Sequence, residues 1–391
     1  MKKGTRCTIC TGCGRCFGEY EERTHILSLS DAYKNKVSLE GPVICTDIGT
    51  TTIAMIAVLE DGSIADSYSV LNPQGKHGAD VLSRIKAAKD TAVLDEMKGS
   101  VRKVLEDGIK KFERSIALPD TVKMYVSANT TMTYLLMGYD PSELGEAPFK
   151  ASHLSGEVFS LQVGKINADV TVLPGFSAFV GSDIYAGIIA SKLCTSEKYR
   201  LLLDLGTNGE IALGNKDHLF VTATAAGPAF EGGPCKGIRG ADMIHITAAL
   251  LEENLIDETG LLSEKYFEDG ITAGNVYITQ ESIRALQLAK GAMNAGIKMI
   301  CDKAGISFSD IEECILAGGF GYFLKPEDAA RIGLLPEKLA DKTRSGGNTA
   351  LEGALRFAEG SRVTTGAVVI NLAENPSFND LYTGSLNFPN N

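Results

Sequence analysis

The hydrophobic pattern of this chain is set by short, unbroken apolar runs that end on acidic, glycine-threonine turns. Val43-Ile44-Cys45-Thr46-Asp47-Ile48-Gly49-Thr50-Thr51-Thr52 is the first, and Leu201-Leu202-Leu203-Asp204-Leu205-Gly206-Thr207-Asn208-Gly209-Glu210 repeats it in the second half. Such a run reads as a strand buried on both faces, whereas strict alternation marks a strand with one wet face. Ile53 to Leu59 predicts a second strand, Glu60-Asp61-Gly62 a turn, and Ile64 to Val70 an alternating third strand. Helical periodicity starts after Asp80, a suitable cap, with Val81, Leu82 and Ile85 on one apolar face. Residues 91–115 read as helix, Val122 to Val126 as strand, and residues 127–133 as a strand end opening into a helix. Val172-Leu173-Pro174-Gly175 closes a strand, and Val180 to Leu193 is a small-residue helix. Residues 279–304 form a long amphipathic helix with Ile283, Leu286, Leu288 and Ala289 among its apolar positions. Cys314-Ile315-Leu316-Ala317-Gly318-Gly319-Phe320-Gly321 is a strand leading into a glycine turn, and Gly346-Gly347-Asn348-Thr349-Ala350 a loop capping a final helix.

The two repeated turns carry the first candidate chemistry. Glycine permits a tight turn after each strand. Hydroxyls and backbone N–H groups there, from Gly49, Thr50, Thr51, Thr52, Gly206, Thr207 and Asn208, can hold phosphate oxygens. Asp47 and Asp204 at the strand ends would hold a hydrated Mg²⁺ instead, because like charges repel. Two copies imply two related halves facing one nucleotide. Asn129 and Thr130 sit where a strand opens onto a helix, the place where ligands collect in such sheets; simple helix capping is the alternative. Gly318 and Gly319 let a base or ribose approach the backbone closely. Gly227 lies in the glycine-rich stretch 222–233, suited to contact a nucleotide or a partner. His77, between Lys76 and Gly78, reads as a solvated loop histidine rather than an acid–base residue.

Composition narrows the class. At 391 residues the chain can bury a sizeable core in two or three domains. Hydrophobic content of 44% and charge of 22% are those of an ordinary globular protein. The net charge of −11 argues against nonspecific nucleic-acid binding. No apolar run reaches the ~18 residues of a membrane span, and no secretory core follows Met1-Lys2-Lys3. The expectation is a cytoplasmic protein with no membrane partner. Of nine cysteines, Cys7, Cys10, Cys13 and Cys16 form a C-x2-C-x2-C-x2-C run. Four thiolates so spaced suit a [4Fe–4S] cluster. Zn²⁺ is the rival occupant, and an unstructured reactive tail the third reading. Three of these ligands plus a fourth from elsewhere, or from a second chain, would be less strained, which leaves room for a homodimer. Cys45, Cys194, Cys301 and Cys314 sit in apolar contexts as core thiols, and Cys235 lies in a loop. Residues 17–40 look like a tether, punctuated by Gly41-Pro42.

The three glycine turns, in this order, resemble the ATPase fold of acetate and sugar kinases, Hsp70 and actin. Asn72-Pro73-Gln74, Gly78 to Ile85, Asn129 to Thr133, Ala226 to Gly232 and Gln287 to Lys290 sharpen the likeness. Together they resemble the ATPase part of the reductive activators of corrinoid proteins, over roughly residues 42–370. That resemblance implies an α/β fold of duplicated halves around a nucleotide cleft: a cysteine-rich segment at 1–41, a first half at 42–180 and a second at 181–391. It implies ATP and Mg²⁺ as cofactors beside the iron–sulfur cluster, Asp47 and Asp204 placing Mg²⁺ and the attacking water, and Gly318 and Gly319 receiving the adenosine. The implied activity is ATP-driven electron transfer from the cluster to Co(II), giving Co(I). The implied partners are a corrinoid protein of a methyltransferase system and a low-potential electron donor. The chain departs from that family in carrying only the compact four-cysteine run where relatives commonly carry a complete ferredoxin domain, often [2Fe–2S]. The short cysteine module is also similar to that of the activators of 2-hydroxyacyl-CoA dehydratases. A small-molecule kinase and a nucleotide-dependent binding protein are the other classes the phosphate loops admit.

Overall fold

In the computed structural model of this chain the described residues are Leu27, Leu29, 38–206, 208–225, 240–273, 276–318 and 324–389. Cys7, Cys10, Cys13, Cys16, Thr207, Gly227, Cys235 and Gly319 lie outside them. The N-terminal half is built on strands β1 (Val43–Ile48), β2 (Thr52–Val58), β3 (Ile64–Leu71), β4 (Thr121–Ala128), β5 (Glu157–Val163) and β6 (Ile166–Val172). They form one sheet in the order β3-β2-β1-β4-β6-β5. The C-terminal half repeats the plan with β7 (Tyr199–Leu205), β8 (Gly209–Gly214) and β9 (Leu219–Thr224), a small hairpin β10 (Ile271–Ala273) and β11 (Val276–Ile278), then β12 (Ile311–Ala317), β13 (Thr343–Gly347) and β14 (Ala367–Val369). Its main sheet runs β13-β12-β7-β8-β9-β14. In both sheets an antiparallel three-strand meander is followed by a parallel strand laid beside the first: β4 beside β1, and β12 beside β7. The repeat seen in the sequence is therefore a repeat of topology.

The helices are α1 (Val81–Ala87), α2 (Thr91–Ser115), α3 (Thr130–Met137), α4 (Ser142–Gly145), α5 (Ser182–Ala190), α6 (Gly240–Glu252), α7 (Glu264–Phe267), α8 (Gln280–Ala304), α9 (Pro326–Arg331), α10 (Thr349–Ala358) and α11 (Pro376–Gly384). The central strands are apolar without alternation because helices cover both faces. On one face of the first sheet, Ile44, Ile53 and Met55 pack with Leu105, Ile109 and Phe112 of α2. On the other, Val43, Cys45, Ala54 and Ile56 pack with Leu351, Ala354 and Leu355 of α10. In the second sheet, Leu202, Ala212 and Ile315 receive Ile184 and Ile188 of α5. Leu201, Leu203 and Ile211 face α6 and α8. Each half thus lends a helix to the other: α5 follows the first sheet in the chain and packs on the second, while α10 follows β13 and packs on the first.

The two lent helices meet face to face at small residues. A Cβ on Gly353 would stand 2.0 Å from the Ala186 carbonyl oxygen, so only glycine lets the backbones come this close. Gly181, just before α5, is similarly pressed: a Cβ there would lie 2.6 Å from Asn129 Cα.

Several sequence expectations change. Leu82 is 66% exposed, and buried Arg84 takes the inward position beside Ile85. The helix turns ~100° per residue, so positions 81, 84, 85 and 88 share an arc that excludes 82. Arg84 is held there by Nε donating to Gly78 O at 2.9 Å. Leu288 is likewise exposed on α8, while Ile283, Leu286 and Ala289 are buried. The helix capped by Asn348 is not the last, because α11 follows it, and Gly346-Gly347 belong to β13 rather than a loop. Cys45, Cys301 and Cys314 are buried core thiols as expected, whereas Cys194 is only partly buried.

Candidate functional site

A cavity of about 390 Å³ opens between the two sheets, where β1 and β7 end. It is lined by both glycine turns, by Asn129, by Gly318 and by the start of α10. The first turn is closed by the Gly49 N–H donating to Thr52 O at 2.9 Å. Asn72 fastens it from behind: its Nδ2 donates to Gly49 O at 2.8 Å and its backbone N–H to Thr51 O at 2.8 Å. This gives the Asn72-Pro73-Gln74 stretch a physical role, since the same side chain also caps the short helical turn Pro73–His77 through Gln74 N–H. The second turn is closed by Gly206 N–H donating to Asn208 O at 3.0 Å.

Asn129 does two jobs. Its Oδ1 caps α3 by accepting from Met132 N–H at 2.9 Å, and its Nδ2 donates to Thr50 Oγ1 at 3.1 Å, fixing the hydroxyl in the turn. Capping and site construction are thus both present. Ser182 ties this corner to α5 by exchanging hydrogen bonds with the Ala128 backbone, at 2.8 and 2.9 Å. Gly318 adopts φ +82, and a Cβ on it would come within 2.8 Å of Asp204 Oδ1. The third glycine turn therefore leaves room for the Asp204 carboxylate itself.

Four carboxylates face this space: Asp47, Asp183, Asp204 and Glu210. Burial pushes Asp47 up to about 7, with Asp183 adding repulsion and a hydrogen bond from Asn348 Nδ2 at 2.9 Å opposing it. Burial, then mutual repulsion, also raises Asp204 and Glu210, and burial raises Asp183. Such a set is poised to take a cation, since a positive charge among the carboxylates would hold them all ionised. Among the described residues no three His, Cys, Asp or Glu side chains converge to cage a metal directly. Asp47 and Asp204 offer the one or two carboxylates that suit Mg²⁺, which keeps most of its waters and takes further oxygens from substrate phosphates.

Asp47, Gly49, Thr50, Thr51, Thr52, Asn129, Asp204, Gly206, Asn208 and Gly318 are brought together here. Asp183, Glu210 and Asn348 join them, and nothing in the sequence pattern singles out Asp183 or Asn348 as site residues. Glu210 was accessible from the hairpin: it pairs across from Asp204 in the β7–β8 register and so shares its face. Asp183 sits in the first turn of α5, where an acidic residue reads as favourable to the helix dipole. Only the crossing of α5 into the other half carries it to the cleft. His77 is not among the lining residues; its Nε2 lies 3.2 Å from Glu96.

Two duplicated sheets, with an Asp-apolar-Gly turn from each closing on one cleft, define the ATPase fold shared by sugar kinases, Hsp70 and actin. The comparisons with known proteins narrow this. Residues 43–196 match the family model "RACo middle region", and residues 198–236 and 233–391 match "C-terminal domain of RACo the ASKHA domain". The corrinoid activation enzyme RamQ of Eubacterium limosum is 30% identical, over 96% of this chain and 76% of that protein. A [Co(II) methylated amine-specific corrinoid protein] reductase of Methanosarcina barkeri is 25% identical over 52% of this chain and 46% of its own length. Among solved structures, a reductive activator for corrinoid, iron-sulfur protein superposes with a TM-score of 0.75 at 26% identity, covering 90% of this chain and 67% of that one. The chain belongs to the RACo family.

Proposed function

We propose that this protein is an ATP-dependent reductive activator of a corrinoid protein, returning Co(II) to Co(I) in a methyltransferase system. The observation that carries this reading is the doubled Asp-Gly-Thr cleft in a chain whose relatives bear corrinoid activation and Co(II) reduction in their names. Among the described residues no helix is long and apolar enough to cross a membrane. We place the protein in the cytoplasm, where thiolate clusters persist.

Nucleotide enters between the halves. Thr50, Thr51, Thr52, Thr207 and Asn208 take the phosphate oxygens, with Asn129 holding Thr50 in place. Gly318 and Gly319 would receive the adenosine, and Gly227 would contact the nucleotide. Asp47 and Asp204 would hold a magnesium ion, which would supply neutralisation of the phosphate charge. Asp204 accepts a hydrogen bond from the attacking water and orients it, while Asn348 keeps the Asp47 carboxylate turned into the cleft. Cys7, Cys10, Cys13 and Cys16 would hold the iron–sulfur cluster, which would supply one-electron chemistry when bound.

The need for ATP is thermodynamic. Each ~59 mV of unfavourable potential in a one-electron step costs a factor of ten in equilibrium. Nucleotide can offset that only by binding one conformational state better than another. Closing a cleft built between two halves around nucleotide would supply such states by moving the halves and altering the partner-facing surface.

The test is made on anaerobically purified protein. Mg-ATP hydrolysis should fall by ~10²–10³ in Asp204→Ala, as when one positioned polar group is removed from an active site. Unchanged turnover would exclude the cleft as the ATPase centre. Iron should be lost in Cys10→Ser with ATP turnover kept; full iron content in that variant would exclude the four-cysteine run as the cluster site.

A further inference from the structure

The two lent helices open onto the nucleotide cleft at their N-terminal ends and onto a second, unassigned space at their C-terminal ends. There, two cavities of about 260 and 330 Å³ adjoin, sharing Lys192 and Arg356 in their walls. Five cationic side chains line them: Lys192, Arg200, Arg344, Arg356 and Arg362. Three carboxylates, Glu313, Glu352 and Glu359, share the same walls; Glu313 is ion-paired with Arg344, and a fourth, Glu312, stands beside Arg200. This local excess of positive charge stands in a chain whose net charge is −11. Two helix C-termini favour nearby cations through their exposed carbonyls, but five exceed what two half-charges call for.

The cations are held in place by the walls themselves. Arg200 is anchored by Nη1 donating to Ser191 O at 3.2 Å. Its Nε is buried without a hydrogen bond, standing 3.5 and 3.6 Å from Glu312 and Glu313. Arg356 stands 3.6 Å from both Glu352 and Glu359. Arg362 lies over the Phe357 ring at 3.4 Å, pinned by two backbone carbonyls at 2.7 Å. Lys192, in left-handed backbone at φ +57, has an exposed side chain. Thr349, 3% exposed, borders both this space and the nucleotide cleft.

We propose that this seam is a binding site for a small oxyanion of the phosphate class. Arginine forks match tetrahedral oxygens, and a lysine supplies a mobile point charge. The ligand would touch Arg200 and Arg344 on the second sheet and Arg356 on the helix packed against the first, so it would tie the halves together behind the nucleotide.

Thermal unfolding of the full chain tests this, with inorganic phosphate compared against chloride at matched ionic strength. EDTA is present, so that the acidic cleft repels the anion. Phosphate at a concentration well above its dissociation constant should raise the midpoint by about 2 °C in the wild type and in Lys192→Arg. In Lys192→Gln most of that shift should vanish, and in Lys192→Gln/Arg356→Gln all of it. Lys192 is exposed, so its variant keeps the test decisive even if the double variant fails to fold. An equal shift with chloride, or a full phosphate shift in Lys192→Gln, would overturn the proposal.

Discussion

Asp47 is the residue on which the cleft's electrostatics turn. Half-buried at the cleft wall, its carboxyl is pushed up to about 7 by desolvation, with a hydrogen bond from Asn348 opposing and Asp183 adding repulsion. The folded state therefore holds this proton more tightly than the unfolded chain, whose Asp titrates near ~3.9. By linkage, the stability this group lends the metal-free protein is complete below the unfolded value and drains away as pH rises through about 7. Asp47→Asn cannot ionise and should escape that loss. In EDTA it should be more stable than wild type at pH 8 by roughly 1–2 kcal/mol, a figure reduced because the carboxylate opens onto the cleft, and the gap should narrow as pH falls toward ~5 and vanish below ~4. Urea unfolding at the two pH values measures it, and a gap that does not change with pH would contradict the assignment. Asp47 and Asp204 were readable in the sequence because each ends an apolar run at a glycine turn. Asp183 and Asn348 were not, because only tertiary packing carries them to the cleft, and a single helix start looks alike wherever it points.

At the scale of elements, the seam between α5 and α10 is the tightest point between the halves. Gly353→Ala would drive a methyl into the Ala186 carbonyl, and backbone cannot give way as a side-chain tip can. Overpacking of this kind costs ~1–3 kcal/mol, here accompanied by weaker ATP turnover because α10 carries Asn348 and Thr349 into the cleft. Gly99, in the middle of α2, is the opposite case, with nothing within 4 Å of the place a methyl would take. Gly99→Ala should stabilise by about 0.5–1 kcal/mol through helix propensity, with turnover unchanged. Denaturation midpoints of the two variants should move in opposite directions; a neutral Gly353→Ala would mean the crossing is looser than it stands here. Local pattern sufficed for α2, whose span 91–115 the sequence predicts residue for residue, and for the caps at Asp80 and Asn129. It failed for Leu82 and Leu288, where periodicity marks an apolar residue but not whether a neighbour covers it. The exchange of α5 and α10 between the sheets was beyond it altogether, since nothing in either helix states which sheet it will meet.

Over the whole molecule, the proposed function requires a thiolate cluster at one end of the chain and a nucleotide cleft built from the rest. A kinase or a nucleotide-driven binding protein has use for the cleft and none for the cluster. The most direct measurement is the spectrum of cobalt in a Co(II) corrinoid protein mixed with this protein under anaerobic conditions. With a low-potential reductant and Mg-ATP together, the Co(II) band should fall and the Co(I) band grow. Omitting nucleotide, or using Asp204→Ala, should leave Co(II) in place, and so should Cys10→Ser, although that variant still hydrolyses ATP. Equal reduction without ATP, or by Cys10→Ser, would show that the electron does not travel through this protein and would contradict the account.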